Sequence, residues 1–204
     1  MELIKTIKTI SNIIYIYKID NDLLAFKPSK NIEKEILANK LAKLFNIDTL
    51  DIRPAEINNK EGILMPYLKD SSLLMLYKRE LDKKQIRQLK RIILFDIWIG
   101  NKDRHTANIF VNHNLTIFDH EKIFQGGNAR NFIKLDIGRK LDKDYVSIIE
   151  NLLDKDLTAM QALKRLNFGK EDFVNINDED IKNITKDEEI SNFLISRKNF
   201  DIRF

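Results

Sequence analysis

The chain changes texture once, and that change limits what it can become. Up to about residue 65 it consists of short strand-forming runs; from about residue 71 it is mostly helix-forming. Glu2–Ile10 alternates in places, Ile13–Ile19 is rich in β-branched and aromatic residues, and Leu23–Lys27 follows the turn Asp20-Asn21-Asp22. Residues 31–45 place Ile32, Leu37, Leu41, Leu44 and Phe45 on one helical face. Arg53–Asn58 and Gly62–Met65 flank a hairpin turn at Asn58-Asn59-Lys60-Glu61. Pro66 ends this half. Ser71–Arg79 then reads as a short helix, and Asp82–Gly100 as the clearest helix in the chain. That helix has an Asp82/Gln85 capping box, a buried face of Ile86, Leu89, Ile93, Leu94, Ile97 and Trp98, and a stop at Gly100. Ile109–Val111 and Leu115–Asp119 form a short hairpin around Asn112-His113-Asn114. Further helices are expected at 141–153, 156–167 and 186–200, the last preceded by the capping box Thr185-x-x-Glu188. A sheet first and helices after, in 204 residues, is an α+β arrangement in one domain.

Composition removes several alternatives. Hydrophobic residues make up 43%, enough for a packed core. No apolar run approaches the ~18–20 residues that cross a bilayer. MELIKTIKTISN has charges every few residues and no apolar stretch, so a secretory leader is not expected and a cytoplasmic protein is. The absence of cysteine excludes disulfides, zinc-thiolate sites and thiol catalysis, and three histidines are few for a histidine-built metal site. The net charge of +4 is too balanced to argue for nucleic acid. It is uneven, however: residues 1–100 carry +5, 101–140 carry +3 and 141–204 carry −4.

The chemistry concentrates in Gly100-Asn-Lys-Asp-Arg-His-Thr-Ala-Asn108 and in Leu115-Thr-Ile-Phe-Asp-His120. Asp103 starts the loop after a buried helix, where it can orient a hydroxyl nucleophile or accept its proton. Asn108 and Asp119 are hard oxygen donors suited to Mg²⁺. Asp-x-x-x-x-Asn followed by an Asp on the next hairpin is the arrangement of a kinase catalytic loop and metal-binding strand. The spacing alone is weak, but the order of the chain agrees with it. Lys27 ends the third strand, Glu35 lies in the first turns of the next helix, and Pro66-Tyr67-Leu68 joins sheet to helices.

LFDIWIGNKDRHTANIFV…LTIFDHEKIF resembles the HipA-like kinases and, more distantly, the phosphatidylinositol 3/4-kinase-like superfamily. FKPSKNIEKEILANKLAKLFNI resembles the same family, and the resemblance spans about residues 13–125. It implies a two-lobed protein-kinase-like fold. Residues 1–65 would be an N-terminal antiparallel sheet lobe with one helix, 66–70 a hinge, and 71–204 a mainly helical lobe. It implies that Lys27 contacts the ATP phosphates with Glu35 holding it, Glu33 being the competing choice. Met65, Tyr67 and Leu68 would contact adenine, Asp103 would act as base or orienter, and Asn108 and Asp119 would bind Mg²⁺. The activity implied is Mg·ATP-dependent phosphotransfer to a hydroxyl, foremost of a serine or threonine in a protein. A small-molecule or lipid kinase and a nucleotide-binding pseudokinase are the alternatives.

The chain departs from the pattern in two places. No glycine precedes Gly62, so the turn Thr9–Asn12, with its backbone N–H groups and the Ser11 hydroxyl, is the only candidate to cover phosphates. The metal strand ends Phe118-Asp119-His120 rather than Asp-Phe-Gly. Arg104 reads equally as an ion pair fixing the loop or as a substrate contact. His105 and His120 read as packing residues, His113 as an exposed turn residue and Trp98 as core; Asp96 reads either as a hydrogen-bond partner of the loop or as a cap on the helix surface, and neither role is assigned. The basic run Lys78–Arg91 reads first as a solvated helix face, and its lack of interleaved aromatics argues against base stacking.

Overall fold

The structure, a computed structural model, describes residues 1–9, 12–101, 104–124 and 176–198. Ser11, Asp103 and the expected helices at 141–153 and 156–167 lie outside the described residues, as does the end of the one expected at 186–200.

The strand-forming runs give β1 (Glu2–Lys8), β2 (Ile13–Ile19), β3 (Asp22–Pro28), β4 (Arg53–Ile57) and β5 (Lys60–Pro66). They form one antiparallel sheet in the order β1-β2-β3-β5-β4. Two-residue turns set the registers. Ile19 pairs with Asp22 across Asp20, whose φ is 54°, and Ile57 pairs with Lys60 across Asn58 and Asn59 at φ 53° and 60°. Two consecutive left-handed residues are what a tight hairpin requires, and asparagine tolerates them. The alternation of β3 sends Ala25 and Lys27 to one face and Leu24 and Phe26 to the other. Ile16, Ala25, Ile63 and Met65 pack on the first face; Tyr17, Phe26, Ile57 and Leu64 pack on the second.

Helix α1 (Ile32–Leu44) buries Leu41 of its expected face and turns in more than its leucines mark. Glu35, Ala38, Asn39, Leu41 and Ala42 are buried, while Ile32, Leu37 and Leu44 are only half-buried. Two polar residues on the inner face have partners, which apolar periodicity cannot register. Asn39 donates to the Thr49 hydroxyl at 2.8 Å and the Leu50 carbonyl at 2.6 Å. The lower part of α1 joins Phe45, Phe95 and Trp98 in the largest core, not the core beneath the sheet.

Helix α2 (Lys83–Trp98) begins with the expected capping box. The Asp82 N–H donates to Gln85 Oε1 at 3.0 Å and the Gln85 N–H to Asp82 Oδ1 at 2.8 Å. Gly100 follows its end at φ 64°. Burial extends around the last turns to Ile92, Phe95 and Asp96 as well, so the helix is enclosed there rather than amphipathic. The helix expected at Ser71–Arg79 is instead β6 (Ser72–Leu73) and a 3₁₀ turn over Leu74–Leu76. So short a helix is marginal alone, and pairing with β7 (Ile109–Val111) replaces it. β8 (Leu115–Ile117) completes this second, three-stranded sheet and stops two residues before Asp119, whose φ of 61° ends extended pairing.

Near the C-terminus, α3 (Asp178–Thr185) is capped by Asn177, and α4 (Glu188–Lys198) follows. Asp187, not Thr185, caps α4: its Oδ1 accepts from the Ile190 N–H at 2.9 Å, while the Thr185 hydroxyl donates to Ile181 O at 3.0 Å. Trp98 Nε1 donates to Leu194 O at 3.0 Å, joining α2 to α4.

Candidate functional site

Lys27 is the centre of the site. Its stem leaves β3 on the same face as Ala25, and only 4% of the residue is exposed. A lone buried ammonium would cost many kcal/mol, so its partners decide whether it can exist there. Nζ lies 3.0 Å from Glu35 Oε1, 2.8 Å from Asp119 Oδ1 and 2.6 Å from Glu121 Oε1. Burial works against the charge. The fields of Glu35 and Asp119, with hydrogen bonds from Asp119 and Glu121, overcome it and hold the ammonium above the ordinary lysine range. Burial likewise pushes the Glu35 carboxyl up, opposed by Lys27 and by the His120 N–H, which donates to Glu35 Oε2 at 2.7 Å. Glu33, the competing choice, is exposed.

A second buried cation holds the loop side of the site. Arg104 is fully buried. Nε donates to Asp96 Oδ2 at 2.8 Å, and Nη2 to Asp96 Oδ1 at 3.2 Å and His120 Nδ1 at 2.8 Å. Nη1 donates to Asn108 O at 3.2 Å and Phe118 O at 2.6 Å. Every guanidinium N–H is thereby satisfied. One side chain joins the end of α2, the turn before β7 and the residue preceding Asp119. Of the two readings open for Arg104, the geometry is that of the ion pair fixing the loop. Because arginine only donates, His120 Nδ1 accepts and the ring proton sits on Nε2. Burial, then Arg104 and Lys27, push the His120 pKa well below its usual value, so the ring is neutral. His105 is half-buried and its carbonyl accepts the Asn108 N–H at 2.9 Å; His113 is exposed in its turn.

The structure therefore brings Lys27, Glu35 and Asp119 into direct contact, and joins buried Asn108 to that group through Arg104 and the Phe118 N–H, 3.2 Å from Asn108 O. Met65 is buried opposite Ala25. Tyr67 and Leu68 are half-buried against the core beneath the sheet, beside Phe110 and Phe118, whose rings stack at 4.5 Å. The Tyr67 N–H is engaged by Leu23 O at 2.9 Å, so that donor serves the sheet.

Glu121 and Asn101 escaped the sequence reading, and Asp96, which the sequence offered either as a hydrogen-bond partner of the loop or as a cap on the helix surface, takes the first role. Glu121 follows Asp119 by two positions, and that spacing was its only signal. Asp96 and Asn101 anchor the loop: Asn101 Nδ2 donates to Asp96 Oδ1 at 2.8 Å. An Asp in the apolar last turns of a buried helix is the signal that marks the first. Oxygens of Glu35, Asp119 and Glu121 lie within 4.8 Å of one another, so among the described residues this cluster has the hard donors a divalent cation takes.

Among solved structures, the chain is similar to the crystal structure of the Helicobacter pylori proinflammatory kinase CtkA. Identity is 14%, the match covers 97% of this chain and 90% of that one, and the TM-score is 0.57. The chain shares the fold of that kinase. HipA itself, in the Shewanella oneidensis complex with HipB and operator DNA, matches at 12% identity over 86% of this chain and 55% of that one, with a TM-score of 0.37. No protein-family model and no curated protein matches the sequence. The likeness to the CtkA kinase is one of fold, at low identity.

Proposed function

We propose that the protein is a Mg·ATP-dependent phosphotransferase of HipA-like type, acting on a serine or threonine hydroxyl. Its lobes would be residues 1–65 and 71–204, with 66–70 as hinge. The observation that carries this reading is the buried Lys27, held by Glu35 from α1 and by Asp119 from the segment after β8. A lysine kept charged and aimed by two carboxylates from different elements suits the neutralisation of nucleotide phosphates.

In this reading Lys27 orients the ATP phosphates. Glu35 fixes Lys27, and the His120 N–H fixes Glu35. Met65, Tyr67 and Leu68 line the adenine side with side chains and the remaining backbone groups. Asn108 and Asp119 would hold Mg²⁺, with Glu121 a third oxygen donor; the bound ion supplies charge neutralisation. Asp103 orients the acceptor hydroxyl, whose oxygen forms the new bond to the γ-phosphorus as the bond to ADP breaks; its proton passes to the Asp103 carboxylate. Ser11 would lie over the phosphates. Positioning and electrostatics supply the rate.

The test is intact mass after incubation with ATP and Mg²⁺, alone and with a generic protein acceptor. Gains in steps of one phosphate are expected, reduced by about 10²–10⁴-fold in Asp119→Asn and in Asp103→Ala. Transfer that both variants retain would overturn the assignment. Transfer to phosphoinositide vesicles but not to protein would move the substrate class to lipid. Nucleotide binding without turnover on any acceptor would make the protein a pseudokinase.

A further inference from the structure

The basic run at the start of α2 has no part in the site above, and it lies at the opposite end of that helix. From Lys83 to Trp98 the helix rises ~22 Å. Just before it, the segment 75–80 is tethered at both ends by buried residues, Leu74 and Leu81. Between these anchors Lys78, Arg79 and Glu80 are exposed, and so are two neighbouring apolar residues, Met75 at 56% and Leu76 at 64%. Lys83, Lys84 and Arg87 continue the exposed surface along the first turns of α2. Among the described residues, none of Lys78, Arg79, Lys83, Lys84 and Arg87 forms an ion pair. The first turn of α2 contains no acid, and the Asp82 carboxylate is occupied in the capping box. Lysines at a helix N-terminus oppose its dipole, so folding gains nothing from placing them there. Two solvated apolar side chains beside them add a second cost.

We infer that this end of the molecule docks on an anionic lipid surface. Met75 and Leu76 enter the headgroup region while Lys78, Arg79, Lys83, Lys84 and Arg87 lie against lipid phosphates and carboxylates. Five cations without ion-pair partners among the described residues complement such a surface, and an adjacent apolar pair is what a bilayer adds over a merely charged partner. Nucleic acid fits less well, because no exposed aromatic residue is interleaved to stack on bases. A protein partner fits less well, because its anchors would be large aromatics, and Tyr77 is half-buried in the core. The proposal is independent of the kinase reading, and its readout is binding.

The experiment is flotation with phosphatidylcholine vesicles, with and without one-third phosphatidylserine. The full chain is expected to float with the anionic vesicles only and to be released by salt. Lys83→Glu/Lys84→Glu and Met75→Asp/Leu76→Asp should each lower the partition by at least about tenfold. Equal melting temperatures show that these exposed substitutions leave the fold intact. If the lysine variant does not fold, Lys78→Ala/Arg79→Ala replaces it in the loop and should lower the partition by about tenfold. The proposal is overturned if anionic vesicles fail to float the protein, if neutral vesicles float it equally, or if the variants bind as wild type. It is also overturned if poly-glutamate or duplex DNA is bound as tightly as vesicles without dependence on Met75 and Leu76. That result would make the surface a site for a protein or a nucleic acid.

Discussion

At the scale of the residue, the site is a matter of who neutralises whom. Lys27 faces Glu35, Asp119 and Glu121 together. Lys27→Met would leave three carboxylates crowded without a cation. The expected cost is about 3 kcal/mol at neutral pH, measured by urea unfolding. The sign of its pH dependence follows. Burial already pushes the Glu35 carboxyl up, and without Lys27 it would take up a proton still more readily folded than unfolded, so the deficit relative to wild type should shrink as pH falls toward 5. His120 runs the other way. Its pKa is depressed in the folded state, so below about 6.5 the unfolded chain binds a proton that the folded chain does not. Wild type should therefore lose stability on acidification from 6.5, by at most about 1.4 kcal/mol per pH unit from this group. His120→Gln should lack that slope, and identical profiles for the two would refute the buried neutral ring. Sequence alone offered Lys27, Glu35, Asn108 and Asp119 by type and spacing. It could not offer Glu121 or the tautomer of His120, which depend on contacts between separate segments, Lys27 with Glu121 and Arg104 with His120.

At the scale of the element, β3 and β5 show how a strand pair aims a side chain. Lys27 pairs with Ile63 and Pro28 with Gly62. A Cβ at residue 62 would fall on the Lys27 carbonyl oxygen and within 2.8 Å of Pro28 Cα. Glycine is needed there for close approach, and backbone cannot step aside as a flexible side chain can. Gly62→Ala should cost about 2 kcal/mol in unfolding and also reduce phosphotransfer, because the displaced backbone is that of Lys27 itself. Stability lost with full activity would separate the strand from the site. The strands, the hairpin turns and α2 were legible from periodicity and turn residues, down to the Asp82/Gln85 box. The inner face of α1 was legible at Leu41 and Phe45 but not at Asn39, which is buried for its hydrogen bonds. The segment 71–79 was misread because its fate depends on β7, nearly forty residues later.

At the scale of the whole molecule, the order of sheet, helix, hairpin and helices is readable in the sequence for the described residues, and the fold they build is similar to that of a kinase. If nucleotide binds against Lys27, the folded state alone gains from it. Saturating Mg·ATP should then raise the melting temperature, by the equivalent of about 2.7 kcal/mol at a hundred times the dissociation constant. Lys27→Met should show no such rise. An equal rise in that variant would place the nucleotide elsewhere.

α1 is shared between two hydrophobic cores, Ile32 packing with Ala25 of β3 and Ala38, Leu41 and Ala42 packing with α2, and this has a mechanical consequence. The 3.0 Å contact of Glu35 with Lys27 spans α1 and β3, so a shift of one against the other would part it. Loosening either core by heat, truncation or a surface partner would release that contact while most of the backbone stayed ordered. On the kinase reading proposed above, loss of phosphotransfer would then come ahead of loss of structure, and the gap between the two would gauge how tightly α1 is keyed to the sheet.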